Sequence, residues 1–598
     1  MKTIRNILLL VVVAIIYACE NPLDSTRLDV IGNDLVWDDE SLVDAYMANM
    51  YDRSDLIEAN DNSGDPHVRR YGTQPLGGEA FGRDQGGAYG YTTGNLSGIS
   101  TGVALPYFGT ESWSFIRALN VAIKELSIED SRLSTNFREQ RLGEAYFLRA
   151  HAYFRKVIRY GGVPIVDYPQ ETSLPAEDLR IPRSSEKETY DFIASDLNKA
   201  AVLLANKTTT IGRITEPAVW MLMSRAMLYA GSISSNNNLL PLKDINGLVG
   251  INPSEAQNYY KLSLEASRKI LPAPFGTGNF ALRPGQTVVE YRKIFNDIGS
   301  ANDKESILTI QFNGEGGRYN NEGVYLLPRA KPEHVNWGAW QATWMETLEW
   351  YEYKNGIPGI MLPDNSATLR STLASGQYYN LAQLFADKDP RFRASIALPP
   401  YEIQGFSAYM HNTVKNTADA NQAGIPLRGP TQNRQSSGMC VIKTANENNP
   451  MVINDIGDAP LVVYRIAEAY LNYAEAAHAL GDASGLDALN AIRTRAGMPS
   501  RTSLTMQNIM HERKIELAFE NHRFWDLRRW RIAQTELSPT EKFKHIQWTW
   551  DVANNTFTAI LVNEKLVRLF KPEHYYFPIP LSSIENNPAL EQNPGYNL

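Results

Sequence analysis

Three consecutive helical patterns occupy residues 464–530 of this 598-residue chain and leave little room for loops between them. In the first pattern, apolar side chains recur every three or four positions from Ile466 to Leu480, which places them on one face of an α-helix. Gly481 ends this helix, and Gly497 ends the second in the same way. The stretch therefore predicts two antiparallel helices followed directly by a third.

The third pattern is rich in ionisable side chains, and their spacing predicts ion pairs. Glu516 and Glu520 lie one helical turn apart, and Arg523 follows Glu520 by three positions. Arg529 follows Asp526 at the same spacing. A helix of this kind packs closely only if its charges are neutralised, so we predict that this set of residues is structural.

Five motifs in this stretch, in their order along the chain, resemble the SusD/RagB family. They are YRIAE, NYAEA, IRTRAG, ERKIEL and RFWDLRRW, at residues 464–468, 472–476, 492–497, 512–517 and 523–530. Members of that family are nutrient-binding outer-membrane lipoproteins. Shorter similarities extend the resemblance over essentially the whole mature chain, at residues 144–164, 577–580 and 592–595.

Helical periodicity recurs outside this stretch, as one helix near residues 37–51 and as successive pairs of helices further on. The pairs place alanines where helices meet, which is typical of helical-hairpin repeats that bury each pair against its neighbours. We predict a mainly α fold on a helical-hairpin repeat scaffold, with repeats at about 111–270 and 461–530. The resemblance implies that the repeats are tetratricopeptide-like and number four.

Two regions lack a helical period and are rich in glycine, asparagine and aspartate: residues 60–110 and 280–460. We interpret the second as a large, partly β insertion packed on the helices, and the final residues 531–598 as irregular. The first is either an ordered binding surface or a plain glycine-rich connector, since loops of this length are usually functional or disordered. We expect all these parts to form a single domain over residues 19–598.

The N-terminal residues 1–18 have the features of a lipoprotein signal peptide. They contain two basic residues and an apolar run too short to span a bilayer, and Cys19 follows. The residues before Cys19 resemble a bacterial lipobox, which implies that this cysteine is diacylated and anchors the protein in a membrane. An ordinary secretory signal with an incidental cysteine is the alternative. Since Cys440 is the only other cysteine, we expect no disulfide.

Composition and motifs argue against several classes of function. A net charge of −8 disfavours nucleic acid or anionic lipid headgroups as the main partner. The pattern GISTG at residues 98–102 fits a nucleophile elbow, but no strand pattern precedes it. His511 and Glu512 begin like a zinc-protease motif, whose second histidine is replaced by Ile515. We therefore expect no catalytic serine, no metal site and no cofactor.

A glycosidase needs only two carboxyl groups that face each other across a bond, so the motifs leave this class open. The conspicuous acids Glu512, Glu516 and Glu520 lie among arginines on a helix, which favours ion pairs.

Four of the eleven tryptophans fall between Trp337 and Trp350, and they divide into two pairs. Residues 343–346 have the pattern of a capping box that starts a helix, which makes Trp344 and Trp350 candidates for the core. Trp337 and Trp340 precede this helix, and a loop tryptophan is suited to stack on a sugar ring. We predict a ligand site where these two meet the glycine-rich loop, with core packing as the alternative.

The resemblance implies that aromatic platforms from loops bind the ligand. It also implies a non-catalytic protein on the outside of the cell outer membrane, which binds an oligosaccharide or similar nutrient and delivers it to a SusC-like TonB-dependent transporter. A surface glycoside hydrolase and a helical scaffold for protein partners are the alternatives. The predicted ligand-binding residues are Trp337, Trp340, Arg83, Tyr89, Tyr91 and Asn336.

Overall fold

The computed structural model describes most of the chain, and every structural statement below concerns the described residues. These are residues 36–57, 73–82, 92, 108–129, 131–171, 173–208, 210–244, 246–312, 320, 322–328, 339, 341–427, 438–448, 457–538, 543–564 and 567–596. Within these ranges, no helix combines the length and the apolar character needed to cross a membrane.

Helices dominate the structure. In chain order they are α1 (Glu40–Arg53), α2 (Thr110–Leu126), α3 (Thr135–Tyr160), α4 (Ala176–Leu179), α5 (Glu186–Leu204), α6 (Glu216–Ser235), α7 (Ala256–Ile270), α8 (Val288–Asn296), α9 (Glu322–Leu326), α10 (Met345–Trp350), α11 (Leu369–Leu373), α12 (Leu381–Leu384), α13 (Pro390–Ser395), α14 (Thr417–Gln422), α15 (Ile466–Leu480), α16 (Gly485–Arg495), α17 (Met506–Glu516), α18 (Arg523–Arg529), α19 (Ala533–Leu537) and α20 (Leu581–Asn586).

Most of the strands are short. They are β1 (Ala80–Gly82), β2 (Ser306–Ile310), β3 (Gln341–Thr343), β4 (Ile396–Ala397), β5 (Tyr401–Ile403), β6 (Phe406–Ala408), β7 (Thr413–Val414), β8 (Cys440–Val441), β9 (Leu461–Arg465), β10 (Lys544–Asp551) and β11 (Thr556–Asn563). Three turns of 3-10 helix, Asn237–Leu239, Pro253–Glu255 and Pro572–Tyr575, complete the regular elements.

The predicted stack of helices is confirmed. In the first part of the chain, α3 packs against α5, α5 against α6, and α6 against α7. The later helices join the same stack, because α15 packs against α7 on one side and against α16 on the other. One hydrophobic core runs through these helices, from Trp37 near the start of the described chain to Leu590 near its end. The two groups of repeats therefore form one scaffold.

Local sequence signals explain where several of these helices begin and end. Ser185 and Glu188 form a capping box at the start of α5, with each side chain bonded to the other residue's backbone. Gly161 follows α3 at φ +74°, a conformation that favours glycine. At Gly162 a Cβ atom would lie 1.9 Å from the Ser184 carbonyl oxygen, so the turn after α3 needs glycine here too. Gly481 ends α15 in the left-handed conformation, as predicted.

The insertion packs on the scaffold through small sheets. One sheet has the strand order β1–β3–β8–β4, and β2 pairs with β9 immediately before α15. A second hydrophobic core, centred on residues such as Phe392, Met439 and Trp548, lies under these strands. Cys440 is buried in β8, where desolvation raises the pKa of its thiol to about 12. The partly β character predicted for this region is thus confirmed.

We expected the C-terminal region to be irregular, and this expectation is wrong. Strands β10 and β11 form an antiparallel hairpin whose register runs from Lys544 opposite Asn563 to Asp551 opposite Thr556. The side chains of β10 that pack on the second core are two positions apart, beginning with Ile546. This two-residue period was present in the sequence and would have predicted the strand.

The third helical pattern is two helices rather than one. Helix α17 ends at Glu516 and α18 begins at Arg523, and between them Phe519 and Asn521 have φ angles of +62° and +65°. The ammonium group of Lys443, which lies in the last part of the insertion in sequence, donates to the Glu516 backbone carbonyl at 2.7 Å. A cation that binds the last carbonyls of a helix stabilises its end. Only the folded chain brings this cation to the break.

Glu516 lies at the centre of a buried ion network, as predicted for a structural residue. Its carboxylate accepts hydrogen bonds from Arg391 at 2.9 Å, from Arg465 at 2.6 Å and from Arg495. Glu520 pairs with Arg465 at 2.7 Å. Burial alone would raise the pKa of Glu516, but the surrounding guanidinium groups lower it well below its usual value. The carboxylate is therefore ionised in the folded protein.

The pair predicted between Arg529 and Asp526 is confirmed, with 2.8 Å between Nη2 and Oδ1. Glu475 also accepts hydrogen bonds from Arg529, and Arg513 donates to Asp526 at 3.1 Å. Burial would raise the pKa of Asp526, but Arg513 and Arg529 lower it to about 2. This second cluster holds α18 against α15 and α17.

The role predicted for Arg523 needs correction. Its guanidinium does not pair with Glu520, because the break after α17 separates the two residues. It reaches Glu536 at 3.2 Å and lies over the half-buried ring of Trp350 at 4.9 Å. Arg523 is therefore a peripheral contact of the scaffold rather than a member of the buried network.

Candidate functional site

The residues predicted to bind the ligand lie outside the described part of the chain. This holds for Trp337, Trp340, Arg83, Tyr89, Tyr91 and Asn336, and also for the signal residues 1–18, for Cys19 and for residues 98–102. The structure does describe residues that flank these segments in the sequence, including Gly82 and Gln341.

The two predicted loops start from paired strands. Strands β1 and β3 are antiparallel, and Gly82 lies directly opposite Gln341 in their register. In the sequence, Arg83 follows Gly82 and Trp340 precedes Gln341. Neighbouring strands are about 5 Å apart. The two segments predicted to share a site are therefore joined to residues that face each other across one pair of strands.

The capping box predicted at residues 343–346 is wrong. Thr343 belongs to β3, and its hydroxyl donates to the Glu79 backbone carbonyl at 2.7 Å rather than capping a helix. Helix α10 begins two residues later, at Met345. The prediction that Trp344 belongs to the core is confirmed, since its side chain is buried. Strand pairing with β1 outcompeted the local capping signal.

A cluster of aromatic rings packs at the paired strands β1 and β3. Phe81 and Trp344 have ring centroids 4.4 Å apart, and the His545 ring meets Phe81 edge-on at 4.5 Å. Phe543 packs against Trp344 at 5.3 Å. Because two of these rings come from the start of β10 or just before it, the C-terminal hairpin helps to fix the base of the predicted loops.

Polar side chains tie the same strands to the break between α17 and α18. The Gln341 side-chain amide donates to the Gln74 side-chain oxygen at 2.6 Å, and Gln74 donates to the Phe519 carbonyl at 2.8 Å. The Phe519 N–H donates to Glu79 Oε1 at 2.8 Å. Sequence reasoning missed Gln74, Glu79 and Gln341, and no local pattern identifies them, because the Glu79–Phe519 bond spans 440 residues.

Glu79, which immediately precedes β1, is fully buried. Burial raises the pKa of its carboxyl to about 7, and the hydrogen bond from the Phe519 N–H only partly opposes this rise. Among the described residues, no group makes a hydrogen bond to its second oxygen, Oε2. Burial thus favours the protonated form of this carboxyl.

A cavity of about 140 Å³ adjoins these anchors, between the helical scaffold and the insertion. Gln74 and Gln341 belong both to its wall and to the anchors of the predicted loops. Helices α3 and α6, strand β9 and the break after α17 supply most of the remaining wall.

The described residues offer little for catalysis or for metal binding. Within the described ranges, no group of three or more His, Cys, Asp or Glu side chains is arranged to hold a metal ion. Glu512, one of the acids weighed for catalysis, is buried and bonded to Arg391 at 2.6 Å and to Arg493 at 2.8 Å. Burial would raise the pKa of Glu512, but Arg391 and Arg493 lower it. It is thus a structural ion.

Two protein-family models match the chain. The model of the SusD family matches residues 304–596. A second model, described as starch-binding associating with outer membrane, matches residues 107–228. The two matches cover the insertion with the later helices and the first helical repeats, respectively.

Individual proteins are similar over the same extent. The starch-binding protein SusD of Bacteroides thetaiotaomicron is 30% identical over 470 residues, which cover 76% of this chain and 72% of that protein. A SusD-like protein of Bacteroides fragilis has a solved structure with a TM-score of 0.72 at 24% identity, covering 96% of this chain and all of the other. Surface glycan-binding protein A of Bacteroides thetaiotaomicron, solved with laminarihexaose, gives 0.60 at 17% identity, covering 92% and 99%. The two structural similarities concern the fold.

Proposed function

The chain belongs to the SusD family, and from this premise we propose that it binds an oligosaccharide or similar nutrient at the cell surface without catalysing a reaction. It then delivers this ligand to a SusC-like TonB-dependent transporter in the outer membrane. The names of its relatives support binding, since one is a starch-binding protein and another was solved with laminarihexaose. The mature chain, residues 19–598, is proposed to act as one domain.

The ligand is proposed to contact Trp337 and Trp340, with Arg83, Tyr89, Tyr91 and Asn336 beside them. The observation that carries this proposal is the register of β1 and β3, in which Gly82 faces Gln341. Aromatic faces bind the apolar face of a sugar ring, and polar groups beside them take its hydroxyls. A rigid base is needed for such a site, and the buried rings under β1 and β3 supply one.

Binding without catalysis is supported by the state of the described acids. A glycosidase needs two carboxyl groups on either side of the scissile bond, about 5 to 10 Å apart. The prominent glutamates of α17 are instead buried in contact with arginines, including Glu516 with Arg465. Two such acids cannot flank a sugar, because their oxygens are occupied.

The binding test uses the purified mature protein and a panel of hexasaccharides, including maltohexaose, laminarihexaose and xylohexaose. A ligand that binds only the folded state raises the melting temperature, so at least one panel member is expected to do so. The same mixtures are assayed for reducing sugar. A panel without any melting shift contradicts the binding role, and release of reducing sugar contradicts the absence of catalysis.

Cys19 is proposed to carry the acyl chains that hold the protein on the outer membrane, facing the exterior. Two or more chains anchor a protein stably, whereas one does not. Cys19→Ala should therefore move the protein from the membrane fraction to the soluble fraction, or leave it unprocessed, as measured by fractionation after a high-salt wash. Cys440→Ala is the matched control and should stay in the membrane. A Cys19→Ala protein that remains there, processed, would contradict the anchor.

A further inference from the structure

The wall of the internal cavity mixes hydrogen-bonding groups with aromatic carbon. His151 and Arg155 of α3 face it together with Asn521, while Phe154 and Trp525 supply ring surfaces. Small-molecule sites in proteins are concave, largely apolar and equipped with a few convergent polar groups. The cavity wall thus combines the two kinds of group that such a site needs.

Among the groups of this wall, the His151 ring gives the best indication of what the cavity binds. Its side chain is 3% exposed, and no described group makes a hydrogen bond of normal geometry with either ring nitrogen, although the Asp55 backbone lies close. Burial, together with the neighbouring Arg155, lowers the pKa of the ring to about 3. A neutral imidazole has one donor and one acceptor. The neutral ring can thus exchange a hydrogen bond with a bound hydroxyl group.

Two charged groups of the wall, Arg225 and Glu520, already have ion-pair partners. Arg225 donates to Glu468 at 2.6 Å, and Glu520 accepts from Arg465 at 2.7 Å. A charged ligand would have to compete with these buried pairs, at the cost of leaving an ion unpaired. A neutral ligand that both donates and accepts hydrogen bonds fits the wall without disturbing them.

The volume of the cavity and its access to the protein surface also suit a small ligand. A volume of about 140 Å³ is roughly ten times the 10 to 15 Å³ that holds one water molecule. The rim includes the half-exposed residues Ile57, Ile298 and Val462, so the cavity borders the protein surface. Its inner wall contains Gln74 and Gln341, which also anchor the predicted ligand loops. A compact ligand could therefore occupy this space beside Gln74 and Gln341.

We propose that this cavity binds one neutral sugar unit, with the His151 ring exchanging hydrogen bonds with its hydroxyls and Trp525 or Phe154 contacting its apolar face. The proposal rests on the proposed function, because it gives an oligosaccharide-binding protein an internal subsite. The cavity is too small for several sugar units, so it would select the end or a branch of the ligand.

The direct test uses glucose, galactose, mannose and xylose as probes, with saturation-transfer NMR and calorimetric titration of the mature protein. At least one probe should bind the wild type. His151→Phe keeps an aromatic ring against Phe147 and removes both hydrogen-bonding atoms, so it should weaken that probe at least tenfold with the melting temperature retained. His478→Phe, at the half-exposed end of α15, is the matched control and should bind like the wild type.

A second variant tests the cavity without touching its polar wall. Ile298→Trp adds bulk at the half-exposed rim and should block the probe, whereas Val202→Trp adds the same bulk at a site that is 78% exposed on α5 and should not. Failure of all four sugars to bind, or wild-type affinity in both His151→Phe and Ile298→Trp, overturns the subsite. If a hexasaccharide still binds in that case, the proposed function stands and only the subsite is lost.

Discussion

Two carboxyl groups, those of Glu516 in the helical scaffold and of Glu79 next to β1, are equally buried, but their pKa values are shifted in opposite directions. Both side chains are 0% exposed. Arginine side chains surround Glu516, and they lower its pKa although burial would raise it. Glu79 receives a hydrogen bond from the Phe519 backbone, and burial raises its pKa to about 7.

The difference teaches that burial alone does not decide the ionisation of an acid in this protein, because cations in contact with the acid oppose the effect of burial. Three arginines contact Glu516, so its carboxylate stays ionised over the physiological pH range. No described residue forms an ion pair with Glu79, so burial dominates there and we expect its carboxyl to titrate near neutral pH. The network around Glu516 is thus expected to keep its charge, whereas the charge of Glu79 is expected to change with pH.

The largest expected effect is the loss of stability when Glu516 loses its charge. Glu516→Gln keeps the shape of the side chain but removes the charge that Arg465 and Arg495 share. We expect the free energy of unfolding to fall by about 3 to 5 kcal/mol, because buried cations are left uncompensated. Urea denaturation measures this loss. Glu265→Gln on the exposed face of α7 is the control and should change stability by less than about 0.5 kcal/mol; an equally stable Glu516→Gln protein would contradict the comparison.

The second prediction concerns Glu79 and the direction in which stability changes with pH. Burial raises the pKa of Glu79 in the folded state to about 7, above the usual value of 4.5 for a glutamate, so the folded state binds more protons than the unfolded state between these values. Wild-type stability should therefore fall as pH rises from 5 to 8, by about 2 to 3 kcal/mol from this group. Glu79→Gln should not show this component.

The measurement for Glu79 is the difference in unfolding free energy between Glu79→Gln and the wild type, taken at several pH values. This difference should increase with pH, whatever the fixed cost of burying an amide. Glu265→Gln again serves as the control and should follow the wild-type curve. A difference that stays constant from pH 5 to pH 8 would show that Glu79 does not titrate in this range.

The third prediction separates a loop residue from a core residue of the same type. Trp340→Ala should weaken a hexasaccharide that binds in the panel by about 1 to 3 kcal/mol, with melting little changed. Trp344→Ala should lower stability by about 3 to 5 kcal/mol, because its buried ring fills space between Phe81 and Phe543. Calorimetric titration and thermal melting distinguish the two. A large melting loss in Trp340→Ala with affinity intact would assign Trp340 to the core.

The smallest effect is expected at the edge of the scaffold. Arg523 contacts Glu536, whose side chain is 37% exposed, and the ring of Trp350. Arg523→Ala should cost about 1 kcal/mol of stability, well below the loss for Glu516→Gln, since partly exposed pairs contribute little. Ligand affinity should not change. If denaturation showed a loss as large as that of Glu516→Gln, Arg523 would belong to the buried network after all.

The sequence by itself determined the helical scaffold and the family. A helix closes its hydrogen bonds between residues four positions apart and repeats its apolar face every 3.6 residues, so its signal is local. This is why the pattern from Ile466 to Leu480 predicted α15 with its glycine stop, and why linked motifs sufficed for the resemblance. The β10–β11 hairpin also has a local signal, its two-residue period, although we expected this region to be irregular. The spacing of Arg529 and Asp526 also predicted a real pair.

Only the tertiary structure decided how the base of the predicted site is built and where the third helix breaks. Strands of two or three residues are too short for a period, so β1 and β3 carry no local signal. The bonds that hold them join residues hundreds of positions apart, as between Glu79 and Phe519. Likewise, Lys443 caps α17 from within the insertion. Such contacts exist only once the chain has folded, because neither partner's neighbours in sequence specify the other.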